Sequence, residues 1–105
     1  NNYKNLANSY YNQGQLYKAI GKYELSLQSF KKGIDLLNKN KELHYDLYIE
    51  QNYALINLYL KFGKINLVKN LIKNINLDRQ ARGLNLIYIE KIPEEIYEDC
   101  STFKT

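Results

Sequence analysis

The sequence predicts an all-α fold built from stacked antiparallel helical hairpins, and three observations carry that reading. The 105 residues include one proline and five glycines, which permits long helices and argues against a turn-rich β-architecture. Apolar residues recur at spacings of three and four over most of the chain, the period of an amphipathic helix. A short pattern also occurs twice. Leu16-Tyr17-Lys18-Ala19-Ile20-Gly21-Lys22-Tyr23 aligns with Leu58-Tyr59-Leu60-Lys61-Phe62-Gly63-Lys64-Ile65, with Gly21 and Gly63 42 residues apart.

The first helix carries Tyr10, Gly14, Tyr17 and Ile20 on one stripe and stops at Gly21, because glycine enters the left-handed conformation without a Cβ penalty. The second carries Tyr23, Leu27, Phe30, Ile34 and Leu37. Together they form a first hairpin over about residues 3–39. A long helix is expected from about Glu42 to Phe62, with Leu55, Ile56, Tyr59 and Phe62 on its stripe and Gly63 ending it. Its partner carries Leu67, Val68, Leu71, Ile72 and Ile75, giving a second hairpin over about residues 42–76. Asp78 is placed to cap a further helix running to about Lys91. Pro93, followed by Glu94 and Glu95, has the pattern of a helix first turn. These two would complete a shortened capping hairpin over about residues 78–101. The alternation in Leu84-Asn85-Leu86-Ile87-Tyr88-Ile89 leaves a strand open as the alternative there, and residues 101–105 read as a frayed tail. The whole is one domain, residues 1–105, of two and a half to three repeats. Such hairpins bury their stripes only by stacking on neighbours.

The run Gly14, Tyr17, Gly21, Tyr23, Ser26, Phe30 and Gly33 resembles the signature of the tetratricopeptide repeat (TPR) family. Gly63, Val68, Ile72 and Ile75 echo it with bulkier residues, and Asn38 and Asn40 stand where the family places a proline. A second register, through Ala7, Tyr10, Gly14, Leu16, Ala19, Ile20 and Tyr23, is also readable. The 42-residue spacing between Gly21 and Gly63 exceeds the family's usual ~34. In this it resembles the lengthened repeats of bacterial intracellular peptide-pheromone (quorum-sensing) regulators, in which a superhelix cradles a short peptide.

Composition narrows the function classes. The formal net charge is +4 with a pI near 9.1, and the lysines are dispersed, so direct nucleic-acid binding by this segment is not expected. No apolar run reaches the length that crosses a bilayer, and no signal-peptide pattern opens the chain. Cys100 is the single cysteine, which fits a reducing, cytoplasmic setting. The chain has no methionine, as expected of a piece of a longer protein or of a processed chain. His44 and Cys100 are the sole members of their types, and nothing in the spacing obliges them to meet. Asp46 with Glu50 reads as a surface pair, and Glu94, Glu95, Glu98 and Asp99 as a solvated acidic face. Neither has metal-ligand spacing. No enzymatic activity, cofactor or metal is expected.

The TPR resemblance implies a binding function. In that family the first helix of each hairpin lines a concave groove. The matching positions here are Asn8, Tyr11, Gln15 and Lys18, then Glu50, Tyr53, Asn57 and Leu60. Within each set the spacings of three, four and three put the residues on one face. Asparagine and glutamine both donate and accept, which suits gripping a peptide backbone, and tyrosines supply rigid contact area. The family's carboxylate clamp is argued against, because Tyr11 stands at its lysine place and Gln15 at its asparagine place. The expectation is a non-catalytic scaffold for a protein or short peptide, as in the sensor part of a bacterial transcription regulator. The alternative is a structural oligomerisation or capping segment of a larger repeat protein, which self-associates.

Overall fold

The computed structural model describes residues 2–88, and the expectations placed on residues 89–105 lie outside them. The fold is all-α. Four helices follow one another: α1 (Asn2–Ala19), α2 (Tyr23–Asn38), α3 (Tyr45–Lys61) and α4 (Ile65–Ala81). No strand occurs among the described residues. The chain divides into two compact units, one ending at Leu58 and one beginning at Tyr59.

In the first unit α1 and α2 pack as an antiparallel hairpin. The direction follows from the pairing: Ser26 meets Gly14, Phe30 meets Gly14 and Tyr11, and Gly33 meets Ala7. As α2 advances, its partner on α1 recedes. The buried face of α2 is Ser26, Ser29, Phe30, Gly33 and Leu37, three or four residues apart, as one helical stripe requires. Two of these are small for a reason visible across the interface. The Ser26 hydroxyl donates to the Gly14 carbonyl at 2.7 Å. A Cβ on Gly33 would lie 2.8 Å from Gln51 Oε1 and 3.1 Å from the Ala7 carbonyl. Small residues thus bring the helix backbones together, and the Phe30 ring fills the space over Gly14. From α3, the Gln51 amide donates to the Ala7 carbonyl at 3.4 Å. Leu55, Ile56 and Leu58 of α3 are buried.

The turns ending α1 and α3 are the same object. Gly21 N–H bonds to the Lys18 carbonyl and Lys22 N–H to the Tyr17 carbonyl, while Gly63 bonds to Leu60 and Lys64 to Tyr59. This is the paired closure of a Schellman motif, which places its penultimate residue in the left-handed region. Gly21 (φ 81°) and Gly63 (φ 68°) supply it. The following lysine opens the next helix: Lys22 (φ −92°, ψ 72°) and Lys64 (φ −82°, ψ 61°) hold nearly equal N-cap geometry. The 42-residue spacing between the two glycines is therefore a repeat of backbone conformation as well as of letters. Nothing lies within 4 Å of a Cβ built on Gly21, so substitution there strains backbone alone. Gly21→Ala should lower unfolding free energy by about 1–2 kcal/mol, and Gly21→Asn by less, since asparagine enters the left-handed region more readily. Urea unfolding of both variants tests this, and an unchanged midpoint for Gly21→Ala would mean the turn relaxes.

Two expected boundaries are corrected. The helix expected from about Glu42 begins at Tyr45, because Leu43 and His44 both bond back to the Asn40 carbonyl in a separate turn. Asp78 does not cap a new helix. It lies inside α4, where its carboxylate accepts from Arg82 Nε at 2.9 Å. A third glycine turn closes α4, with Gly83 bonded to Gln80 and Leu84 to Arg79. Residues 84–88 then run without helix or strand, so neither the expected helix to about Lys91 nor the alternative strand forms over them. In the second unit Tyr59, Val68, Ile72, Ile75 and Ile87 are buried.

Candidate functional site

Asn8, Tyr11, Gln15 and Lys18 lie on one flank of α1, each half-buried. That flank adjoins the buried line of Ala7 and Gly14, so its residues rise directly from the helix interface. Tyr11 is the anchor. Its ring packs against Phe30 with centroids 5.8 Å apart at 45°, an offset arrangement aromatic pairs favour. Gln15 Nε2 then donates to the Tyr11 hydroxyl at 2.8 Å. One turn of helix separates the two residues, so the bond forms within a single face. A core aromatic thus fixes a tyrosine, and the tyrosine holds an amide.

On α3 the candidate residues stand differently. Glu50 and Asn57 are exposed and Tyr53 is half-buried. They occupy the face opposite Gln51, Asn52, Leu55 and Ile56, which are buried. Leu60 belongs to the second unit and is half-buried. The structure therefore joins Tyr11 and Gln15 by a hydrogen bond and keeps Glu50, Tyr53 and Asn57 on one solvent-facing side of their own helix. The α1 set rises from a packed interface, whereas Glu50 and Asn57 stand in solvent.

Three buried amides lie outside the residues that the sequence singles out. Gln51 spans from α3 to the Ala7 carbonyl of α1, and its Oε1 has no hydrogen-bond partner. Asn52 Nδ2 donates to the Tyr48 carbonyl at 2.8 Å, one turn back on its own helix. Asn76 of α4 bonds to Ile87. The available signal for Gln51 was the small pair Ala7 and Gly33, which leaves room for a long polar side chain. For Asn76 it was its place beside Ile72 and Ile75 on an otherwise apolar stripe.

Two open clefts lie in the first unit. One, of about 310 Å³, runs between α1 and α2 and is lined by Leu6, Tyr10, Lys32, Asp35, Leu36 and Lys39. The Lys32 ammonium sits 5.8 Å from the Tyr10 ring centroid, a cation–π distance. The other, of about 360 Å³, surrounds the turn before α3 and includes Lys4, Glu42, His44 and Asp46. His44 is half-buried there, and Cys100 lies outside the described residues. Among the described residues no group of three histidine, cysteine or acidic side chains is placed to hold a metal. No helix among them is long and apolar enough to cross a membrane.

Comparison with protein-family models, curated proteins and solved structures gave no match. The functional reading therefore rests on geometry.

Proposed function

We propose that this chain is a non-catalytic scaffold of the tetratricopeptide type that binds an extended peptide or protein segment. The carrying observation is the repeated junction at Gly21-Lys22 and Gly63-Lys64, where the same turn and cap geometry recurs after 42 residues. The Ser26, Phe30 and Gly33 positions add small–aromatic–small packing, since all three are buried. The recognition residues are Asn8, Tyr11, Gln15 and Lys18 on α1, with Glu50, Tyr53 and Asn57 on α3. Tyr11 and Gln15 are held in place before any ligand arrives, and preorganisation lowers the ordering penalty of binding. The finer form of the proposal is a cytoplasmic sensor segment of a bacterial transcription regulator, which the long repeat spacing favours. A second reading, self-association, is favoured by the apolar floor of the cleft between α1 and α2, where Leu6 is 47% exposed.

The test is selection from a displayed library of random linear peptides. Peptides selected on the wild-type chain should bind Asn57→Ala about five- to 150-fold more weakly, the effect of leaving a desolvated peptide group unpaired. The melting temperature should stay nearly unchanged, because Asn57 is exposed. Lys73→Ala, on an exposed position of α4, should change neither quantity. Equal binding by Asn57→Ala and Gln15→Ala would dismiss the groove and favour self-association, which light scattering over a concentration series would then reveal.

A further inference from the structure

Beyond the α3 and α1 faces, one side chain already performs main-chain recognition within the molecule. Asn76 is 2% exposed, and its amide meets both polar groups of a single residue. Its Oδ1 accepts from Ile87 N–H at 2.8 Å, and its Nδ2 donates to the Ile87 carbonyl at 3.3 Å. One turn further along α4, Arg79 Nε donates to the Asn85 carbonyl. The order is antiparallel: as the segment runs from Asn85 to Ile87, its partners on α4 run back from Arg79 to Asn76.

The contacts specify what is read. These three hydrogen bonds from Asn76 and Arg79 go to the main chain of the segment, so they carry no side-chain preference. The side chain that is most fully seated is Ile87, 8% exposed, with Leu86 half-buried, whereas Leu84 and Tyr88 are 41% and 55% exposed. The segment has neither helix nor strand, so its own backbone offers Ile87 no substitute for Asn76. A buried asparagine stripped of this occupant would keep a donor and an acceptor aimed into an apolar seat, an unfavourable state.

We infer that Asn76 and Arg79 form a receptor for an extended peptide with one aliphatic side chain, occupied here by residues 85–87 as a displaceable intramolecular ligand. The inference is independent of the α1 and α3 face proposed above. Recognition is by main chain plus one pocket, as in other modes that bind extended peptides. The tether explains why the site is filled: a segment joined through a short link acts at an effective concentration on the order of millimolar. A free peptide competes only where the internal segment is weakened or the peptide exceeds that concentration.

The experiment uses the full chain and a fluorescent peptide with the sequence of residues 84–88, Leu-Asn-Leu-Ile-Tyr, read by anisotropy. Ile87→Asp ejects the internal segment and leaves Asn76 and Arg79 intact. It should bind the probe at least roughly ten-fold more tightly than wild type, given the tether's advantage. Adding Asn76→Leu should abolish that binding, and Asn57→Ala should leave it unchanged, which separates this site from the other face. Equal binding by wild type and Ile87→Asp, or binding that survives Asn76→Leu, would overturn the inference. If Ile87→Asp loses helix content by circular dichroism, Ile87→Ala takes its place, since it empties the same seat without burying a charge. The criterion is then the same difference from wild type.

Discussion

Phe30→Ala should lower the unfolding free energy by about 3–5 kcal/mol, the loss expected for emptying a buried phenylalanine site. The ring is 1% exposed, sits over the Gly14 backbone and supports Tyr11 from below. A domain of this size has about 5–15 kcal/mol in total, so the variant should be partly unfolded near physiological temperature. Urea denaturation followed by circular dichroism measures it. A loss below about 0.5 kcal/mol, within the range of surface substitutions, would mean that Phe30 is not the interface residue between α1 and α2. The same variant should loosen the Tyr11–Gln15 pair, so peptide binding at that face should fall together with stability.

Gly14→Ala is the converse experiment, and its sign is decided by two opposing effects. Alanine in a helix interior is favoured over glycine by about 1 kcal/mol. Against this, a Cβ at residue 14 would lie 2.6 Å from two carbons of the Phe30 ring, far inside van der Waals contact. Overpacking of this kind costs about 1–3 kcal/mol, and Phe30 is fully enclosed, so it has little room to move aside. Net destabilisation of up to about 2 kcal/mol is therefore expected. The diagnostic is the cycle with Phe30→Leu. With the smaller side chain opposite, Gly14→Ala should become neutral or stabilising, because the propensity gain remains and the clash does not. Additive effects in the two variants would show that the residues do not share a contact.

The parts of the fold that were legible in the sequence are those where a local signal and a tertiary need coincide. Gly21 and Gly63 end helices and also take a conformation that other residues resist, so the turn is written in one letter. Phe30 and Leu37 follow the helical period and are buried. Ile20 and Phe62 follow the same period but are 57% and 45% exposed. Each stands just before a turn glycine, at the closing end of its helix. Asp78 has the chemistry of a cap, yet it serves Arg82 in the last turn of α4, and the expected helix does not form over residues 84–88. The candidate face was legible only as residue type and spacing. That Tyr11 rests on Phe30 and holds Gln15 depends on the angle at which the two helices meet, which no periodicity contains. Gln51 and Asn76 were missed for a related reason: an amide on a helix reads as surface until a main-chain partner comes within reach.

The junction at Gly21-Lys22 has a consequence for how the molecule tolerates change in length. The residue closing α1 is followed at once by the residue opening α2, since Lys22 donates to Tyr17 and accepts from Ser26. No residue between them is spare, and an inserted segment would separate the closing bond from the opening one. The link between α2 and α3 is different. Residues 39–44 form their own turns, and Leu43 there is 76% exposed. Lengthening a surface loop costs only about 0.6 kcal/mol per doubling. Extra chain, whether an epitope or a fluorophore site, is therefore accommodated at residues 39–44 and excluded from the junction between α1 and α2.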